Sequence, residues 1–242
     1  MTVQTRLIDY ELDGHTFQGE FAFDDASDTP LPGVLVAHNW AGRSPQDGLV
    51  AKRLAEAGYT AFALDLYGKG ILGTSREENA ANMQPLLDNR AALHARLKCA
   101  LDTLQAQPES DAENSGIIGY CFGGLCALDM ARIGYPVRAA VSFHGLFHRP
   151  SELPIQPISA SVLMLHGWDD PMATPDDVMA VSREMTEAGA DWQLHAYGNT
   201  MHSFTSPAAN DPANGTVYDA TADARSWASA LAFLHERLPV GA

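Results

Sequence analysis

The chain has 242 residues, 46% of them hydrophobic and 19% charged, a globular composition with enough apolar side chains for a large core and no sign of extended disorder. Its formal net charge of -15 repels phosphate backbones and anionic lipid headgroups, so neither nucleic acid nor a membrane surface is an expected partner, and an anionic substrate would need a local positive group. Three cysteines in a chain this long do not make a disulfide framework, the N-terminal residues are polar and mixed in charge, and no apolar run is long enough to span a bilayer, so a reduced, cytoplasmic protein is expected.

Residues 3–12 and 15–24 read as two strands joined at Asp13-Gly14, a pair that favours the positive φ of hairpin turns. After a polar loop, residues 33–38 (GVLVAH) form a continuous apolar run of the kind buried on both faces of a sheet. Residues 44–57 carry Leu49, Val50, Leu54 and Ala57 at helical spacing, with Gly58 as the stop. Residues 59–66 are a further buried strand. A long helical region covers residues 75–106, and Pro85 is expected to interrupt or kink it. Residues 116–120 (GIIGY) read as a strand that runs into a Gly-rich turn and a helix over 124–133. Strands at 137–143 and 161–167, a helix at 175–188, a strand at 192–197 and an amphipathic helix at 218–238 complete the pattern. Strands alternating with helices predict an α/β fold with a mostly parallel central sheet flanked by helices on both faces. In such a sheet ligands bind beyond the carboxyl ends of the strands. No linker composition divides the chain, so residues 1–242 are expected to form one domain, with a hairpin and loop over 1–30 and the core over 33–239.

Gly119-Tyr120-Cys121-Phe122-Gly123 has the form G-x-C-x-G at the end of a predicted strand and the start of a helix, a nucleophile elbow with cysteine in the serine position. The glycines suit a turn too sharp for side chains, and the helix N-terminus favours the thiolate over the thiol. A buried structural cysteine beside packing glycines is the simpler reading of the motif taken alone. A nucleophile needs a base and the base an orienting acid, in the chain order nucleophile, acid, histidine. Asp169 follows strand 161–167 and His202 follows strand 192–197, so both fall on the same sheet edge as Cys121. Asp170 competes with Asp169 for the acid, but its place before Pro171 favours a turn role. His38 and His144 also sit at strand ends and could line a pocket. His166 reads as a packed strand-end residue, His195 as a strand residue, and His15, His94, His148 and His235 as surface or turn residues. Cys99 and Cys126 read as helix core, and Trp227 and Phe233 as packing of the last helix. No His, Cys or carboxylate spacing suggests a metal, and no cofactor is expected.

The runs GYCFGG (119–124), DLYGK (65–69), HGWDD (166–170) and MHSF (201–204) together resemble the dienelactone hydrolase family of the α/β-hydrolase fold. The resemblance implies a Cys121–His202–Asp169 triad, an oxyanion hole from the backbone N–H groups of Trp40 and Phe122, and hydrolysis of a small ester or lactone through an acyl-enzyme. Two departures stand out. The family's glutamate after the first buried core strand is replaced by Asn39, which cannot accept a proton at neutral pH. Direct activation of Cys121 by His202 follows from that. Of the family's two carboxylate-binding arginines, one position matches Lys69 and the other falls near Ser206. Asn39, Lys69 and His144 are thus the candidate substrate-binding residues. The alternative function is a non-catalytic ligand-binding or thiol redox-sensing protein on the same scaffold.

Overall fold

The computed structural model describes residues 2–150 and 152–240. Ten-residue strands β1 (Val3–Leu12) and β2 (His15–Asp24) form the expected hairpin, with Asp13 and Gly14 both at positive φ in its turn. β2 joins the main sheet antiparallel to β4 (Thr60–Ala63). From β4 onward the sheet is parallel: β3 (Leu31–Ala37), β5 (Ser110–Tyr120), β6 (Ala139–Phe143), β7 (Ser161–Gly167) and β8 (Trp192–Tyr197) complete the order β1-β2-β4-β3-β5-β6-β7-β8.

The period-two alternation of strands divides the apolar side chains between two cores. Leu35, Ala37, Ile117, Val162 and Met164 face α3 (Arg90–Gln105), α4 (Phe122–Arg132) and α5 (Pro175–Glu187). Val34, Val36, Ile118, Leu163 and Leu165 face α1 (Pro45–Glu56) and α6 (Ala220–Arg237). This is the two-faced packing that makes central strands read as unbroken apolar runs. Among the described residues no helix is long and apolar enough to cross a membrane.

Three expectations about elements change. The long helical region is two helices, α2 (Arg76–Asp88) and α3, and the break falls at Asn89 rather than at Pro85, which lies inside α2. The Asn89 N–H bonds to the Pro85 carbonyl while its side chain accepts from the Ala92 N–H, so one residue ends α2 and caps α3. β5 is longer than its apolar part, because Ser110 and Asp111 pair with Leu31 and Pro32, and Ser115 with Gly33, across a register shift. β4 is shorter than 59–66: it ends at Ala63, and the chain bends at Leu66 and Tyr67.

Between α3, α4 and α5 lies a buried ionic cluster. Asp129 accepts from Arg90, His94 and Arg132, and Arg132 holds Glu184 through two bonds of 2.9 Å. His94, expected at the surface, is one of its members. A charge with all partners present is tolerated inside a protein, whereas one left alone is costly. Asp129→Ala is therefore predicted to lower unfolding stability by about 3–5 kcal/mol, read from urea denaturation. A loss under about 1 kcal/mol would mean that the two arginines find other partners.

Candidate active site

The site lies where the parallel strands end. Cys121 follows β5 with φ 57° and ψ -114°, a conformation that non-glycine residues rarely adopt. The neighbouring glycines permit it. A Cβ on Gly119 would run into the Gly123 carbonyl, and one on Gly123 into the Ala37 carbonyl. A side chain on Gly124 would meet the Gly145 Cα at 2.7 Å. The elbow is pinned by the Cys121 N–H donating to the Phe143 carbonyl (3.0 Å) and by the Gly124 and Leu125 N–H groups donating to the Cys121 carbonyl. The thiol stands at the head of α4, at the orphan N–H groups of a helix start; Phe122 is the helix's first residue.

His202 is 1% exposed and Asp170 2%. The His202 Nδ1–H donates to Asp170 Oδ2 at 2.7 Å. This corrects the expected acid: Asp169 is exposed, and its bond in this region is a backbone N–H to the Thr200 carbonyl. Asp170 also fills the turn role foreseen for it, since its Oδ1 accepts from the Met172 N–H at 2.8 Å. A carboxylate has two oxygens, and here one closes the turn while the other holds the imidazole. The His202 backbone is fixed between neighbours by its N–H to Gly215 and by its carbonyl to the Val217 N–H. These contacts come from the end of a short 3-10 turn and from β10 (Thr216–Val217), which pairs with β9 (Asn210–Asp211), elements hidden in a polar loop sequence.

With Nδ1 committed, Nε2 is the free ring nitrogen, buried and without a hydrogen bond among the described residues. Burial disfavours the charged ring, but the charge of Cys121 and the bond to Asp170 outweigh it and push His202 up to about 10. A neighbouring imidazole behaves oppositely. His144 packs edge-on to His202 with ring centroids 5.0 Å apart, and burial and the His202 charge hold it well below the usual imidazole range. His144 Nε2 bonds Thr205 Oγ1 at 2.8 Å, and its backbone is also at positive φ.

A cavity of about 640 Å³ opens over the thiol. Asn39, Trp40, Cys121, His144 and His202 line it, as do Ser203, Thr205 and Ser206. The Asn39 Oδ1 is taken by the Ala41 N–H at 2.8 Å. Lys69 is not in the wall: it is exposed and pairs with Asp9 of β1 at 2.5 Å, which corrects its assignment to substrate binding. The guanidinium groups in the wall are Arg53 of α1 and Arg76 of α2. Arg53 lies 3.9 Å above the Trp227 ring, and Arg76 reaches Asp211 at 3.5 Å. The sequence reading missed both arginines, because nothing in a helix's period tells which exposed residue overhangs a strand edge. Trp227 lines the cavity as well as packing α6, Cys99 is only half-buried, and Cys126 is fully buried. His38 is buried behind the cavity wall rather than in it. His166 is buried against Phe147 and Trp168, and His195 bonds Ser229. Among the described residues no cluster of three or more His, Cys, Asp or Glu side chains is arranged to hold a metal ion.

Comparison with known proteins gives the family. Residues 17–238 match the dienelactone hydrolase family. A carboxymethylenebutenolidase of Pseudomonas putida is 28% identical over 203 residues, spanning 79% of this chain and 82% of its own. The crystal structure of a dienelactone hydrolase-like promiscuous phosphotriesterase from metagenomic libraries superposes with a TM-score of 0.92 at 36% identity, covering 97% of this chain and 98% of that one.

The His202 ring is predicted to titrate near 10 by NMR, and to titrate lower in Cys121→Ala, which removes the largest contribution that raises it. Because the folded value lies above the ordinary value of about 6.5, the ring's charge stabilises the fold in full below about pH 6.5, and this contribution is lost as pH rises to about 10. An unchanged titration in Cys121→Ala would mean that the two groups do not interact.

Proposed function

Since the chain belongs to the dienelactone hydrolase family and is a hydrolase acting on ester bonds, we propose that Cys121, His202 and Asp170 form its catalytic triad and cleave a small ester or lactone through an acyl-enzyme. The observation that carries this reading is the Nδ1 bond from His202 to Asp170, which leaves Nε2 without a partner on a ring that feels the charge of Cys121. The thiolate attacks the ester carbonyl carbon, a C–S bond forms, and the carbonyl electron pair moves onto oxygen. The backbone N–H groups of Phe122 and Trp40 receive this oxyanion. Each such donor is worth about 2.7–4 kcal/mol in a transition state. As the intermediate collapses, the leaving alkoxide takes the proton from His202 Nε2. Water then gives a proton to the same nitrogen and attacks the thioester, which releases the acid and restores the thiolate. Asp170 keeps the ring in the tautomer and orientation that both transfers need. Asn39 takes no proton in this scheme, so His202 activates Cys121 directly.

For the substrate, the wall combines apolar area from Val50, Met83, Leu146 and Trp227 with the guanidinium groups of Arg53 and Arg76. This suits a compact ester or lactone with a carboxylate. Arg76 takes the anchoring role that the sequence reading gave to Lys69, and unlike a lysine it can hold a carboxylate by two bonds. His144, kept neutral beside a charged ring, lines the cavity without competing for the proton. A phosphotriester is a second substrate class, favoured by the 36% identical phosphotriesterase, since the same thiolate could attack phosphorus.

Under reducing conditions the wild type is predicted to hydrolyse 4-nitrophenyl acetate, with Cys121→Ala at background. Asp170→Asn should fall by about 10²–10⁴ in kcat, and Asp169→Asn should stay near wild type. Equal activity of Cys121→Ala and wild type would remove the cysteine as nucleophile, and a silent wild type would favour a thiol sensor. Arg76→Ala is predicted to raise KM for a carboxylated ester and to leave a neutral ester of equal size unchanged. An equal effect on both would argue against carboxylate recognition by Arg76. Cysteine-dependent turnover of 4-nitrophenyl diethyl phosphate would add the second class.

A further inference from the structure

His38 is fully buried at the end of β3, directly before the segment Asn39–Trp40 that lines the cavity, and it takes no part in the triad. Both of its ring nitrogens are engaged. The Leu66 N–H donates to Nε2 at 3.1 Å, so Nε2 carries no proton. A neutral ring then carries its one proton on Nδ1, which donates to the Asn39 carbonyl at 2.6 Å. Burial favours this neutral form by lowering the ring's proton affinity, against the opposing charges of Asp47 and Asp65.

The consequence lies in the next peptide group. No described peptide bond is cis, and across a trans peptide the C=O and the following N–H point in opposite directions. Drawing the Asn39 carbonyl back toward His38 therefore turns the Trp40 N–H the other way. The rest of the segment is held in the same sense. Tyr67 donates its hydroxyl to the Trp40 carbonyl at 2.9 Å and packs edge-on to His38 at 4.9 Å, and the Gly42 N–H also donates to the Asn39 carbonyl. The Ala41 N–H is taken by the Asn39 side chain. Among the described residues the Trp40 N–H has no acceptor.

We infer that His38 is a positioning residue for the reaction, which fixes the Asn39–Trp40 peptide so that the Trp40 N–H is aimed at the oxyanion. The inference rests on the oxyanion role given to Trp40 above. It assigns His38 a fixed neutral tautomer and no proton transfer of its own.

Two variants separate aim from bulk. His38→Phe keeps a buried ring and loses both bonds, while His38→Asn places an amide donor near the position of Nδ1. With 4-nitrophenyl acetate, His38→Phe should lose about 10–100-fold in kcat, less than the 10²–10³ for deleting an oxyanion donor outright, with KM within about twofold. Alkylation of Cys121 by iodoacetamide develops no oxyanion and should keep its wild-type rate. Inhibition by a trifluoromethyl ketone, which forms a tetrahedral oxyanion on the cysteine, should weaken with kcat. His38→Asn should recover part of both losses. A His38→Phe kcat within threefold of wild type would overturn the inference, as would an equal fall in alkylation, which would mean a damaged nucleophile. Should His38→Phe fail to fold, His38→Ala provides the same comparison. If wild-type turnover does not depend on Cys121, the hydrolase reading itself fails. If it does depend on Cys121 and the His38 variants match wild type, only the positioning role fails.

Discussion

Everything in the site follows from one backbone constraint, the turn at Cys121. A left-handed φ at a residue with a side chain is unfavourable, and it is held by its surroundings. The N–H of Cys121 is tied to β6, its carbonyl caps the first turn of α4, and three glycines remove the side chains that would collide. The constraint lifts the thiol clear of the strand and sets it at the head of a fully buried helix. The parallel sheet then brings its other strand ends to the same edge, with Asn39 and Trp40 from β3, His144 from β6, Asp170 from β7 and His202 from β8.

The second constraint is charge in a poorly hydrated place. The chain as a whole is strongly acidic, and yet a buried imidazole beside Cys121 is held in its charged form up to about 10. Local geometry outweighs the global field because His202 lies between the cysteine and a carboxylate at 2.7 Å, where water screens little. At the end of β6, packed edge-on against His202, His144 meets the same burial without a carboxylate and stays neutral. Two histidines of opposite charge state thus line one cavity with their rings 5.0 Å apart.

Much of this was readable in the sequence, for reasons that also explain the exceptions. The strand–turn–helix rhythm, the hairpin at Asp13-Gly14 and the elbow depend on local periodicity and glycine placement, which sequence records directly. The choice between Asp169 and Asp170 turned on a side-chain direction. Adjacent residues after a strand point to different sides, and the turn logic that set Asp170 aside described one of its oxygens and overlooked the other. Lys69 was misplaced because a motif position does not reveal that a lysine will lean back onto Asp9 of the first hairpin strand. Arg53 and Arg76 were missed because their place over the cavity depends on how α1 and α2 pack, which is a tertiary fact. His38 looked like a pocket residue by position, and its two opposed hydrogen bonds could be seen only in three dimensions.

The central claim is that the acyl group passes through a covalent bond to Cys121. Acid-quenching the wild-type protein during turnover of a slow 4-nitrophenyl ester, followed by intact-mass and peptide mass spectrometry, tests it most directly. The account predicts a mass increase equal to one acyl group, located on the peptide containing Cys121 and removed by hydroxylamine. Steady turnover with no adduct, or with the acyl group on another residue, would contradict it.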